Sequence, residues 1–491
     1  MRRIIKHDFF KLTMLFASKS AGALVALFAM PIYYEQLGSE QFGIVAVILS
    51  LQALLVMLDL GMSTAVGRDV SVLGAGSHKS ISIWRNAETV LTFFYIGLGI
   101  IALMSAALGS IPYLSIYVAI GITGLFWSLV LQNLGQVVLL SSNSFNTASC
   151  IQFFGAISRA VLTVAALKIF QPTLFIFIAA QLASAIIQLL VTRHFCLTAL
   201  FVSGNPFNKQ GFDLAGCIDL IGRSKALLLF GLAGAAVMQL DKPIIASYVS
   251  ASDVSTYYLA VTYCMLPISL LAGPVSQYFQ PQLLALVTNG YKAEGIRMLY
   301  KFVFFLILIT TLSSATLWIN RNFWIELWLH KAPSSALIGD YVEILLPAVV
   351  IGAFGYIPYA LLIAHQDYKF QSFLSMAMSG ITLLLVLYFA ADKNIFAICW
   401  VYAGYHICST LISWVRTIAI DGLRKYGVES LLFSLKLFTF LIAVTFLVSC
   451  LLNYFVIGEY RLIFFIIIMI ILGLVTTTFF IKLRLNKIYK K

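Results

Sequence analysis

Apolar residues in this chain gather into runs of about 20, separated by short polar breaks that carry nearly all of the charge. Runs of that length form helices that satisfy every backbone group inside a bilayer, and no alternating in-out pattern of the barrel type accompanies them. Fourteen spans are predicted, at 12–32, 42–66, 87–108, 112–140, 148–167, 173–192, 226–249, 255–287, 302–319, 341–364, 370–391, 394–415, 437–456 and 462–481. The fold class is therefore an all-α polytopic membrane protein.

The stretch 227–286 echoes one near the N-terminus. Sliding the chain by 212 positions lays Pro31 on Pro243, Leu37-Gly38 on Val249-Ser250, Phe42-Gly43 on Val254-Ser255 and Gly61 on Gly273. This pattern reads as two copies of one helical hairpin, each opening a half of the molecule. The longest connection expected in the cytoplasm, with Ser203-Gly204-Asn205-Pro206 inside it, separates the halves. The expected organisation is an N-terminal lobe at 1–193 (spans one to six), a linker at 194–225 and a C-terminal lobe at 226–416 (spans seven to twelve). Two further helices and a basic tail follow at 417–491. Two pseudo-repeated six-helix lobes plus two C-terminal helices, with a cavity near the midplane, match the architecture of many secondary transporters.

Composition agrees with this class: 61% of the 491 residues are hydrophobic, 10% are charged, and the mean hydropathy is +0.97. The net charge of +13 is explained by topology. Twenty-four of the 32 Lys and Arg residues fall on the side of the two termini, five fall on the other, and Lys19, Arg159 and Lys242 lie within spans. Both termini are therefore expected in the cytoplasm, and no nucleic-acid partner is needed. One loop expected there, 141–148, carries no base. The basic N-terminus before an apolar run imitates a signal peptide, but the run ends at Pro31 without a small-residue cleavage site and belongs to the repeat, so it is expected to remain as the first helix. Seven cysteines without a CxxC indicate neither a disulfide framework nor a zinc or other metal site.

No enzyme motif is present: there is no GxSxG, no HExxH and no phosphate-binding loop ending in GK[ST]. No catalytic residues are expected. His406, deep in a span, reads as an interhelical hydrogen-bonding residue or a proton carrier. Lys19 and Asp59 lie at matched depth in the first two spans, so a hairpin turning near Leu37 would let them pair, with Arg68 below them at the membrane surface. Lys19 either snorkels to the interface or lines a cavity. Arg159 sits near mid-bilayer, too deep to snorkel without cost, on a stripe of Gln152, Gly155, Arg159 and Thr163. In the seventh span Gly231, Gly234, Met238 and Asp241 form a comparable stripe, and Asp241 either neutralises Lys242 locally or pairs with a charge from the first bundle. Pro267, Pro274 and Pro281 recur every seven residues, each freeing a carbonyl, and form a candidate hinge. Gln132, Asn133, Gln136, Gln181, Gln188, Gln277 and Gln280 supply hydrogen-bonding groups suited to sugar hydroxyls or to interhelical ties.

The hairpin PIYYEQLGSEQFGI followed by DLGMSTAVGRDVS, and the later QLDKPIIASYVSASDVSTYYLAVTYCMLPISL, resemble the lipid-linked oligosaccharide flippases of the MOP superfamily, particularly the O-antigen (Wzx-type) and related polysaccharide exporters. The turn after the seventh span departs from the family pattern. It reads Val249-Ser250 and Ser255, with Tyr257 or Tyr258 retained, where the family reads LG, then Gly, then Tyr. The resemblance implies two six-helix lobes around a central cavity and alternating access. It further implies transfer of an undecaprenyl-diphosphate-linked oligosaccharide from the cytoplasmic to the periplasmic leaflet of the bacterial inner membrane, as in O-antigen and lipopolysaccharide synthesis.

On this reading Arg159 and Lys242 contact the diphosphate or an acidic sugar, while Lys19 and Arg68 attract it at the cytoplasmic mouth. Asp59 or Asp241 responds to a coupling H+ or Na+, and no cofactor is expected. Membrane lipids, a polysaccharide polymerase and a chain-length regulator are the candidate partners. A multidrug and toxin extrusion (MATE) type cation exporter is the strongest rival, but it calls for acidic, aromatic cavity walls, whereas these spans hold three bases and two acids. A lipid II flippase is the second rival, favoured by fourteen spans. A membrane glycosyltransferase or polymerase would need acidic residues in sizeable outer loops, and 320–340 offers only Glu326 and Asp340.

Overall fold

The computed structural model describes residues 2–57, 59, 61–74, 77–109, 115–142, 144–200, 213–222, 237, 239–455 and 465–478, with side chains beginning at residue 22. Among these residues the chain is helical, without strands. Eleven described helices are long and apolar enough to cross a membrane, and a shorter apolar helix, Phe465–Thr478, follows. Half of the predicted seventh span, 226–236 and 238, lies outside the described residues. The chain divides into two compact units, 1–255 and 256–491. The division falls after Ser255 rather than in the 194–225 connection.

In the first unit α1 spans Arg2–Met57, interrupted at Gly38, whose φ of 73° and ψ of 167° are not helical. In a continuous helix Tyr34 and Phe42 would stand roughly 12 Å apart along the axis. Their rings instead meet edge-on at 5.5 Å, so the chain bends between them, where the sequence places the turn between its first two spans. The second arm then ends earlier than predicted. It stops at Met57, and α2 (Met62–Leu73) begins after Gly61, which takes a left-handed φ of 71°. Asp59 causes this break: its carboxylate accepts from Gly61 N at 2.9 Å and Ser63 N at 3.1 Å, closing the start of α2 as an N-capping side chain does. The predicted span 42–66 is thus two helices.

Four long helices follow: α3 (His78–Ala107), α4 (Ile116–Ser141), α5 (Phe145–Ile169) and α6 (Leu174–Leu200). Ser77 and Ser115 accept from backbone N–H groups in the first turns of α3 and α4. The cap at Ser77 starts α3 before the predicted residue 87. Packed against α2, α3 and α6, α4 is the centre of the unit. In lipid there is little hydrophobic gain from helix association, so small residues that let backbones approach decide which helices pack. Gly121, Gly124 and Gly135 do this, bringing α4 against Ile178, Leu182 and Thr192 of α6. By contrast Phe93, Ile96, Ile100 and Met104 recur at helical spacing on α3 and are 51–63% exposed, the expected surface of a helix facing acyl chains.

A short helix, α7 (214–222), docks on α3, where Cys217 donates to Asn86 O at 3.8 Å. Beyond it α8 (Asp241–Ala246) packs on α1, and Gly43 of α1 lies so close to the Ala251 backbone that a Cβ would overlap it. These contacts attach the chain as far as Ser255 to the first unit.

The second unit takes up the chain within α9 (Ala251–Pro267). A π-helical turn, Ile268–Ala272, separates α9 from α10 (Gly273–Thr288). Pro274 has no N–H to offer the Leu270 carbonyl, and the wider π ring absorbs the change in register. Pro267 closes α9, Pro274 opens α10 and Pro281 lies inside it. Phe279 stacks on Phe302 and Phe305 of α11 (Lys292–Ile319) at 5.9 and 5.8 Å, fixing the rotation of α10.

After a short α12 (Arg321–Trp328), the tenth span runs as α13 (Ser335–Phe354) and α14 (Tyr356–Ala364), joined at Gly355, which keeps a helical φ of −60° and ψ of −20° while its N–H bonds to the Gly352 carbonyl in a tighter turn. Then come α15 (Tyr368–Ala391), α16 (Ile395–Ala419), α17 (Asp421–Phe455) and α18 (Phe465–Thr478). At 35 residues, α17 is longer than the predicted 437–456 and packs on α11, α14 and α16. Ion pairs close the ends of this bundle: Arg321–Glu343 at 2.5 Å and Arg416–Asp367 at 2.8 Å.

Candidate functional site

Arg159 is the fifteenth residue of α5, roughly 21 Å from its start. Its neighbours at helical spacing, Gly155 and Thr163, are both buried, so this face of α5 turns into the bundle, whereas Gln152 is exposed. Gln152 therefore drops out of the stripe expected from the sequence. Arg159 Nη2 donates to Gln188 Oε1 of α6 at 2.7 Å and to Gln132 Oε1 of α4 at 3.3 Å. The two glutamines are themselves held: Gln132 Nε2 donates to Ala185 O at 2.5 Å, and Gln188 Nε2 to Ile151 O at 3.4 Å. Below them Gln181 Nε2 donates to Thr163 Oγ1 at 3.2 Å, and Thr163 Oγ1 to the Arg159 carbonyl at 2.8 Å.

Gly155 makes this arrangement possible, since a Cβ there would occupy the position of the Gln188 side-chain amide. The result is a half-buried guanidinium held by two neutral carbonyls, with no carboxylate beside it among the described residues. Its Nε is buried and has no hydrogen-bond partner. Carbonyl dipoles only partly offset a full charge in a low-dielectric bundle, so the group favours an anion, and its planar fork suits carboxylate or phosphate oxygens.

The other expected residues sit elsewhere. Lys242 Nζ lies 2.9 Å from Asp241 Oδ1, and both side chains are buried, at 4% and 1% exposure. The local pairing of Asp241 with Lys242 is present. Gly231, Gly234 and Met238 lie outside the described residues, as does the Lys19 side chain. Asp59 is 7% exposed and engaged by the start of α2. On the same helix Arg68 is exposed, while Met62, Val66 and Val70 are wholly buried. Among the glutamines, Gln132, Gln181 and Gln188 act as interhelical ties around Arg159. Gln181 and Gln188 are two turns apart on one apolar helix, a spacing that could have marked a common face but plays no part in the sequence-based expectations.

Residues 11–283 match the family described as polysaccharide biosynthesis protein. No curated protein sequence matches the chain. Among solved structures, the fold is similar to the lipid II flippase MurJ in an inward closed conformation, with a TM-score of 0.72 and 12% identity, covering 96% of this chain and 99% of that one. An inward-facing multidrug resistance MATE family transporter of the MOP superfamily is similar with a TM-score of 0.56 and 14% identity, over 86% and 94% of the two chains. A MOP superfamily transporter from Pyrococcus furiosus, described as having a binding pocket of reverse polarity, gives 0.54 and 14%, over 86% and 96%. The fold is thus that of the MOP transporters, and with the family match spanning more than half of its length, the chain belongs to the polysaccharide biosynthesis protein family.

Proposed function

We propose that this protein is a flippase that moves undecaprenyl-diphosphate-linked oligosaccharide repeat units, of O-antigen or a similar polysaccharide, across the bacterial inner membrane by alternating access. The observation that carries this reading is Arg159, an intramembrane guanidinium without a carboxylate among the described residues and with a buried, unpartnered Nε. A diphosphate bearing sugars cannot cross hydrocarbon alone, and a positioned guanidinium offsets its charge while the polyprenyl tail stays in lipid. Lys242, Lys19 and Arg68 assist along the path, and H+ or Na+ acting at Asp59 or Asp241 is the proposed coupling. Both termini lie in the cytoplasm, as the distribution of Lys and Arg requires. Family membership supports a role in polysaccharide synthesis. A MATE-type cation exporter fits less well, because a cation would meet the Arg159 charge.

The test is mass spectrometry of polyprenyl-diphosphate oligosaccharides in lipid extracts of cells lacking the gene, with surface polysaccharide measured alongside. Accumulated repeat units with lost surface polymer are expected, and the accumulated mass names the cargo. Accumulated lipid II would move the assignment to that substrate. An unchanged lipid profile with heightened sensitivity to cationic drugs would overturn the flippase reading.

A further inference from the structure

The second unit contains a titratable group that the proposed path does not use. His406 is the twelfth residue of α16, roughly 16 Å from its start and near the middle of a span. Its ring lies against the edges of Tyr402 and Tyr405, with centroids at 5.0 and 5.2 Å. From α13, Gly352 presents bare backbone to the imidazole, where a Cβ would overlap Nδ1. Nε2 is buried and has no hydrogen-bond partner.

This slot adjoins the joint of the tenth span. Gly355 links α13 to α14, and the Gly352 carbonyl accepts from Gly355 N at 3.0 Å. One turn beyond His406, Thr410 donates to the Ile351 carbonyl at 3.3 Å. The Ile351 and Gly352 carbonyls thus each already accept one hydrogen bond. Charged residues on the surrounding helices are Asp340 and Glu343 on α13, Lys369 on α15, Arg416 on α16, paired with Asp367, and Asp421, Arg424, Lys425, Glu429 and Lys436 on α17, with none on α14.

We propose that His406 is a proton-binding switch of the second unit, whose protonation parts α16 from the α13–α14 joint. Neutral, the ring fits an apolar slot closed by two tyrosines and a glycine. Protonated, it carries a charge and a second N–H donor in a slot where no described residue bonds Nε2 and no described carboxylate pairs with the ring. The charge is accommodated only when α16 separates from the joint, freeing the Ile351 and Gly352 carbonyls or admitting water. Because one proton is taken up on parting, the open form gains as pH falls. The inference concerns this chain's response to protons and does not depend on the identity of its cargo.

The test is hydrogen–deuterium exchange of the full-length protein in lipid nanodiscs between about pH 7.5 and about pH 5.5, the range over which a histidine changes charge. After correction for intrinsic rates, exchange in peptides covering 350–358 and 402–412 is expected to rise on acidification by up to roughly tenfold per pH unit. In His406→Gln, and in His406→Phe should the glutamine variant not insert, the same peptides are expected to show no rise. A flat wild-type profile would overturn the proposal, as would an unchanged rise in a folded variant.

Discussion

Gly155 of α5 lies directly beneath the side-chain amide of Gln188 on α6, and no other residue type fits there without moving that amide. Since Gln188 Oε1 accepts the shorter of the two Arg159 hydrogen bonds, a glycine one turn away sets where the guanidinium points. Gly155→Ala separates two opposing effects. Alanine favours a helix interior by about 1 kcal/mol over glycine, whereas overpacking a tight contact costs about 1–3 kcal/mol. The clash involves the whole amide, so a net loss is expected, read as a lower unfolding temperature in detergent together with reduced surface polysaccharide. A stabilised variant with full export would show that Gln188 can move without consequence.

The Asp241–Lys242 pair makes a different prediction. Removing one partner from a buried pair costs about 3–5 kcal/mol, while replacing both with neutral groups of similar size is often nearly neutral. Asp241→Asn and Lys242→Met are each expected to reduce the amount of folded protein in the membrane, and the double variant to recover it. If the recovered double variant also exports normally, neither charge takes part in transport.

At Asp59 the capping role and the proposed coupling role part company. Gly61 N and Ser63 N bond to different oxygens of the Asp59 carboxylate, so Asp59→Asn keeps an acceptor for one of them and turns its NH2 toward the other, whereas Asp59→Ala loses both bonds, at a cost of about 1 kcal/mol in comparable caps. The geometry predicts that the asparagine variant loses part of the thermal stability and the alanine variant more, with both still folded in the membrane. A folded Asp59→Asn protein that no longer exports would assign ion coupling to this carboxylate, and one that exports as wild type would restrict Asp59 to capping.

Cys217 reports on the docking of α7. Burial pushes its thiol up from the ordinary range, with Asp213 adding to the shift. The thiolate is the reactive form, so maleimide labelling of Cys217 is expected to be slow at neutral pH and to rise only under more alkaline conditions than for an exposed thiol. Truncating Leu220, buried on the same helix, to alanine is expected to accelerate it. Rapid labelling in the wild type would mean that α7 is not docked on α3.

Much of this architecture was legible because hydrocarbon leaves a chain few choices. Runs such as 370–391 and 394–415 closely match α15 and α16, since length and hydropathy suffice to define a spanning helix. The turn between the first two spans was marked by Gly38. Periodicity could not reveal an interruption decided by a single side chain, the Asp59 carboxylate that ends a span early. Arg159 was conspicuous as a mid-span charge. Its fit was not, because Gly155 shows its purpose only when Gln188 is placed above it, and Gln152 shared the spacing of the stripe without facing the bundle.

Transport of an anionic lipid-linked cargo depends most directly on Arg159. The decisive measurement is export of repeat units in a deletion strain complemented with wild type, Arg159→Gln or Arg159→Lys, each checked for equal protein in the membrane. Arg159→Gln is expected to accumulate lipid-linked repeat units as the deletion does, and Arg159→Lys to restore only part of the surface polymer, because a point charge lacks the planar fork. Wild-type polymer in the Arg159→Gln strain would remove this arginine from the path and contradict the central claim.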